Sequence, residues 1–232
     1  HTKYLLGRRF ILNFDFSYFA AVLPKVLDHL DVTLQLTVSS AVFALAIGLF
    51  IAVIAYYKIP VLYPFTRIFV FLMRGTPAIV QLYFFYYGIA TFSKLIRDMD
   101  PVPAVAIVMS LNIGAFMSES IRGALMAVDE GQKEAALSLG MSNLQMIRRI
   151  IIPQATRVAL PALFNDIINI VKLSSLAFML GVIDIMGAAK IEGSYTFRYF
   201  EIYAAVMVVY LVIIGILTLM HKYIAQKCSE AY

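Results

Sequence analysis

Glu119, Asp166, Lys172 and Asp184 carry charge within stretches that are otherwise apolar, and Asn112 and Asn169 stand with them. Asn112, Phe116 and Glu119 follow at steps of four and three, so on a helix they share one face. Asn165, Asn169 and Lys172 repeat that spacing, whereas Asp166 and Lys172 are six apart and point differently. A carboxylate, a cation and neutral amides in an apolar setting suit recognition of a small zwitterion, which needs one contact of each sign. Ser174 and Ser175 add hydroxyls. Structural roles compete with this reading. Glu119 can pair with Arg122 at i+3, Asn112 and Asn169 can bond between helices, and Lys172 can pair with Asp166 of a neighbouring helix or subunit.

Other chemistries find no support in the residue pattern. The only cysteine is Cys228, and His1, His29 and His221 are scattered, so no metal-ligand spacing exists and no metal is expected. No nucleophile–base constellation is visible, which argues against an intramembrane enzyme. The chain lacks G-x-x-x-x-G-K-[ST], so it has no P-loop with which to cradle ATP, and no cofactor is expected on it. The net charge of +5 comes from Lys and Arg spread through the breaks between apolar runs, which excludes a nucleic-acid surface.

Of 232 residues, 62% are hydrophobic and 14% charged, the composition of an integral membrane protein. Spans are expected at 32–57, 75–93, 101–118 (with apolar character to Val128), about 158–189 and 202–221. The fourth is interrupted by Asp166, Lys172 and Asp184, whose side chains must face protein. Five spans put the ends on opposite sides. Lys58, Arg67, Arg74, Arg122, Lys133, Arg148, Arg149, Arg157, Lys222 and Lys227 fall on one side, against Lys25, Lys94, Arg97, Lys190 and Arg198 on the other. The richer side is expected to be cytoplasmic, which places the C-terminus inside and the N-terminus outside. No inverted repeat of the kind secondary carriers show is visible.

Two amphipathic features flank the spans. Across 15–30, Tyr18, Phe19, Val22, Leu23, Val26, Leu27 and Leu30 form one apolar face, predicting an interfacial helix kinked or restarted at Pro24. Residues 130–152 form a polar elbow. Asp129 and Gln132 predict a capping box, Gly140 a left-handed stop, and Ser142 and Gln145 a second box opening a helix that Pro153 ends. Ala135 and Ala136 leave room there for another surface to approach. Arg74-Gly75-Thr76-Pro77 is expected to set the entry of the second span, with Gly75 permitting close packing.

The elbow carries Glu134-Ala135-Ala136, Gly140 and Ile150-x-Ile152-Pro153, which resembles the E-A-A-x3-G-x9-I-x-L-P signature of permease subunits in binding-protein-dependent ABC importers. Arg74-Gly75-Thr76-Pro77 with Gln81, Gly114-Ala115-Phe116-x-x-Glu119-x-x-Arg122-Gly123, Gly131-Gln132-x-Glu134 and Lys172-x-Ser174-Ser175-Leu176 resemble stretches of the polar amino acid subgroup over roughly residues 28–225. Phe116, Leu173, Ser174 and Asp184 depart from the residues common there. The resemblance implies an all-α, MetI-like polytopic fold in a prokaryotic inner membrane. It implies residues 1–31 as an extracytoplasmic amphipathic segment and 32–226 as the permease domain. Gly131, Glu134, Ala135, Ala136, Gly140 and Pro153 would engage a separate ATPase, which holds the ATP and Mg. Asn112, Phe116, Glu119, Asn169, Lys172, Ser174 and Ser175 would line the substrate pathway, with Arg74, Gly75, Thr76, Pro77 and Gln81 in structural or gating roles. The other implied partners are a second permease (identical or paralogous), an extracytoplasmic solute-binding protein, an amino acid substrate and membrane lipid. An opine or an organic sulfur compound is the alternative cargo.

Overall fold

A computed structural model describes residues 14–229. The outer part of the expected 1–31 segment, residues 1–13, therefore lies outside the described residues. All regular structure among them is helical. Four helical runs are long and apolar enough to cross a membrane, and a bent pair makes a fifth candidate. In chain order these are α2 (Leu30–Tyr57), the pair α3 (Leu62–Gly75) and α4 (Ala78–Tyr83, continuing to Thr91), α6 (Pro101–Met126), the run Asn143–Leu180 containing α9 (Ile152–Ser174), and α11 (Tyr199–Ser229). Shorter helices are α1 (Phe16–Leu27), α5 (Lys94–Arg97), α7 (Glu130–Ser138), α8 (Asn143–Met146) and α10 (Ile185–Thr196).

The core forms where α2 and α6 touch. A Cβ built on Gly48 would stand 2.9 Å from Met117 Cβ, and one on Gly114 2.9 Å from Ile47 Cγ2, so both glycines are needed for the approach. Helices without water between them associate by such close packing. Around the contact, Leu36, Ala44, Val105, Met117 and Ile170 are fully buried.

The second span departs from expectation. It is not a straight helix over 75–93: Leu62–Gly75 and Ala78–Thr91 meet at 113°, and Thr76–Pro77 forms the break between them. Pro77 explains this, because its ring drives Thr76 into extended backbone (φ −125°, ψ 148°) and removes an N–H. Gly75 provides no close approach here, since an added Cβ would meet nothing within 4 Å. The freed carbonyls are answered by side chains. Thr76 Oγ1 donates to Leu72 O at 2.8 Å. Gln81 Nε2 lies 2.9 Å from Met73 O, 3.1 Å from Thr76 O and 2.8 Å from Thr76 Oγ1. Asn112 Nδ2, on α6, donates to Met73 O at 3.1 Å and Gln81 Oε1 at 2.9 Å. The backbone carbonyl can only accept, so it fixes which way both amides face.

The fourth span also differs. It ends in a 3₁₀ turn at Leu180, Gly181 takes a left-handed conformation (φ +82°), and α10 starts afresh after Asp184 rather than continuing to 189. Asp184 is fully buried and caps α10 by accepting from Gly187 N at 2.8 Å.

At the end of the bundle away from residues 130–152, α1 packs Val22 and Val26 against Ile185, Ala189, Ile202 and Val206, so its apolar face meets α10 and α11 rather than only an interface. Pro24 sits inside α1 without ending it. Polar contacts clasp the same helix. Arg198 reaches Asp15 at 2.6 Å, Lys25 reaches Glu192 at 2.8 Å, and Tyr18 OH donates to Glu192 at 2.9 Å. The Ser17 hydroxyl, the Tyr18 N–H and Arg198 hold the Asp15 carboxyl well below its usual range, and Lys25 lowers Glu192.

Two outcomes follow. Both clasp carboxylates titrate lower when folded, so their contribution is complete above about pH 4 and is lost as pH falls toward the lowered values. Spin labels at Ala20 and Ile191 should give a narrow distance distribution at pH 7 that broadens in Asp15→Asn with Glu192→Gln; an unchanged distribution would show that apolar packing alone holds α1. Replacing Gln81 by Leu strands the Thr76 carbonyl, while Met73 O keeps Asn112 as a donor, and should cost about 1–3 kcal/mol. The unfolding midpoint in detergent should drop accordingly, and Asn112→Leu should cost more in the Gln81→Leu background than alone, because only the double variant leaves Met73 O without either amide.

Candidate functional site

Two regions gather the residues singled out from the sequence, an intramembrane polar face and the elbow. On α6, Asn112, Phe116 and Glu119 do share a face, and that face looks at the break. Asn112 bonds into it, the Arg74 guanidinium lies 5.2 Å over the Phe116 ring, and Arg74 stands 3.9 Å from Glu119. Glu119 is held more tightly by Arg122, at 2.7 and 3.2 Å, the i+3 pair expected as the structural alternative. Arg74 therefore sits between an aromatic face and a carboxylate that already has a partner.

Asn112 and Phe116 also meet the fourth span. With Asn169, Lys172, Leu173, Ser175 and Leu176 they line a cavity of about 380 Å³. Most of its wall is apolar, and polarity comes from two amides, one hydroxyl and one ammonium. Its size falls in the range of small-ligand pockets, roughly 300–1,000 Å³. Asn112 spends Nδ2 on the break, which leaves Oδ1 as an acceptor. Lys172 has no carboxylate within 4.0 Å among the described residues, and the expected pairing with Asp166 is absent within this chain. Asp166 instead accepts from Ser120 Oγ at 3.3 Å, on the side of α9 that packs against α6. Ser174 does not belong to the cavity: it is fully buried, and its hydroxyl donates to Val171 O at 2.8 Å. Glu119 lines a different cleft.

The elbow folds much as its caps foretell. Asp129 Oδ1 accepts from Gly131 N at 2.8 Å, Gly140 is left-handed at φ +74°, and Ser142 with Gln145 forms a complete capping box. Two details differ. Gln132 does not close a box with Asp129; its side chain accepts from Gln154 Nε2 at 2.9 Å and ties α7 to α9. Nor does Pro153 stop the second helix. Residues Ile147–Ile151 form a π turn, and the chain runs on as one helix from Asn143 to Leu180. The wider turn accommodates a residue that brings no N–H and whose ring would crowd the carbonyl four residues back.

Ala136 faces inward, 1% exposed, against Ala124, Val128, Met146, Ile151 and Ala155. Glu134 and Ala135 face outward. So do Leu137, Leu139 and Leu144, at 51%, 82% and 74% exposure, which sequence reasoning passed over. Leucine is unremarkable in so apolar a chain, but within this polar stretch it was the available signal. Lys133 fixes the elbow to the end of α2, with Nζ 3.0 Å from Tyr56 OH and 2.7 Å from Glu130; these partners raise its pKa, Glu130 foremost.

Comparison with known proteins agrees with this architecture. The family described as binding-protein-dependent transport system inner membrane component matches residues 44–230. The probable amino-acid ABC transporter permease protein PatM of Vibrio harveyi is 40% identical over 221 residues, covering 95% of this chain and 99% of that protein. The L-cystine transport system permease protein TcyL of Bacillus subtilis (strain 168) is 36% identical over 201 residues, with 85% and 84% covered. Among solved structures, an amino acid ABC transporter with histidines superposes with a TM-score of 0.85 at 32% identity, covering 92% of this chain and 98% of the other. With its helical spans, broken second span and capped elbow, the chain belongs to the family of binding-protein-dependent transport system inner membrane components.

Proposed function

We propose that this chain is the membrane subunit of an ATP-driven importer for polar amino acids, and that the cavity between α6 and α9 is a station on the translocation pathway. The observation that carries this reading is Lys172, a cation without a carboxylate partner among the described residues, on a mostly apolar wall beside two amides. A substrate carboxylate satisfies it, and Asn112 Oδ1 offers an acceptor to the ammonium group. The names of the relatives support an amino acid as cargo without fixing its side chain.

The elbow then receives the driving force. Glu134, Ala135, Leu137, Leu139 and Leu144 form a surface that is charged at one edge and apolar at its centre, as protein interfaces are. A separate cytoplasmic ATPase seats it, and a second permease and an extracytoplasmic binding protein complete the assembly. In this orientation the elbow, the α2–α3 turn and the C-terminal end of α11 face the cytoplasm, and α1, α5 and α10 face outward.

Two measurements test the proposal. Reconstituted with its ATPase and binding protein, the complex should hydrolyse ATP faster with some members of an amino acid panel. Lys172→Gln should raise the KM for that stimulation about tenfold or more, the scale of one charged hydrogen bond, while stimulation by the corresponding amine lacking the carboxylate stays as weak as in the wild type. An unchanged KM would remove Lys172 from the pathway. Separately, Ala135→Cys should cross-link to the ATPase in the functional complex; no proximity there would sink the coupling role of the elbow.

A further inference from the structure

At the elbow end of the bundle, α3 stands away from its neighbours. None of its residues is buried, and between it, α2, α6 and α7 lies a cleft of about 730 Å³. Arg74, which lines this cleft, lies over the ring of Phe116, which lines the cavity at Lys172. Its lining carries five cations, Lys58, Arg67, Arg74, Arg122 and Lys133, against two carboxylates, Glu119 and Glu130. Both carboxylates are engaged: Glu119 by Arg122 and Arg74, Glu130 by Lys133. Lys58 and Arg67 have no carboxylate within 4.0 Å among the described residues, although each lines the same opening.

We propose that this cleft binds the phosphate headgroup of an anionic phospholipid from the adjoining leaflet, with Lys58 and Arg67 as its principal cations. Three features favour a lipid over a soluble phosphate compound. The cleft sits at the end of membrane-crossing helices rather than in a soluble domain, where basic pockets between such helices meet lipid headgroups. Its lining also includes apolar side chains, Ile51, Val70 and Phe71, interleaved with the cations, which suits acyl chains. The outer face of α3 exposes Phe65, Ile68, Phe71 and Leu72, so an apolar surface lies beside the opening. Lys58 is placed by the α2–α3 turn in a left-handed conformation (φ +49°) that a lysine adopts at some cost, which directs a cation to the mouth of the cleft. Tyr56 OH, 3.0 Å from Lys133 Nζ, links the same cleft to the elbow. A bound headgroup would thus bridge α2, α3 and the coupling segment.

The inference rests on the proposed function only in taking this end as the cytoplasmic one; binding itself is read without transport. The purified complex, in mild detergent, is titrated with phosphatidylglycerol and separately with phosphatidylcholine of the same chains, and retention is followed by native mass spectrometry. Phosphatidylglycerol should be retained preferentially. Lys58→Gln and Arg67→Gln should each weaken it about fivefold and together about thirtyfold, while Lys58→Arg with Arg67→Lys keeps most of it. Millimolar inorganic phosphate should not displace the lipid. Equal affinity in wild type and the double Gln variant, equal retention of phosphatidylcholine, or displacement by phosphate would each overturn the assignment.

Discussion

Hydrocarbon offers a broken helix no water, so every carbonyl freed by the break at Thr76–Pro77 must find a donor within the protein. Thr76, Gln81 and Asn112 supply those donors, and much of the polar interior follows from that requirement. Asn112 lies on α6, so satisfying the break also fixes the rotation of α6 about its axis. That rotation turns Phe116 and Glu119 toward Arg74 and sets the wall that α6 contributes to the cavity with α9. A residue that reads as a candidate ligand is thus also a structural member. Its amide nitrogen belongs to the scaffold and its oxygen to the cavity.

The elbow solves a different problem. It exposes one face while its base is held firmly to the spans. Ala136, Met146 and Ile151 anchor it to Ala124, Ala155 and Ala159, and Lys133 and Gln132 tie it to α2 and α9. Outward-facing leucines on an inwardly packed base make a rigid apolar surface.

The sequence disclosed the spans that are uniform and hid the one that is not. α2, α6 and α11 stand out because uncharged runs are bounded by charge, and the elbow because caps and Gly140 punctuate it. Counting uncharged residues failed at the second span, where Arg67 and Arg74 lie within α3 and made the run seem to begin at 75. Thr76-Pro77 carried the better signal, since proline expels the preceding residue from the helical region. The reverse error occurred at Pro153, where a π turn absorbed what the proline rule reads as a stop. Gly181 with Asp184 held a stop and a cap that the apolar run concealed. At the site, periodicity grouped Asn112 with Phe116 and Asn169 with Lys172, as the cavity does. It could not separate Ser175 from Ser174, because adjacent residues differ only in which way the helix turns them.

The uninterrupted helix from Asn143 to Leu180 has a mechanical consequence. At 1.5 Å per residue it is a rod roughly 57 Å long, and a tilt of about 5° around its middle swings each tip by about 2.5 Å. Had Pro153 severed it, a hinge would have dissipated that swing. Because the π turn preserves continuity, a tilt of this helix about its middle moves Leu144 and Lys172 in opposite directions, as the two arms of one lever.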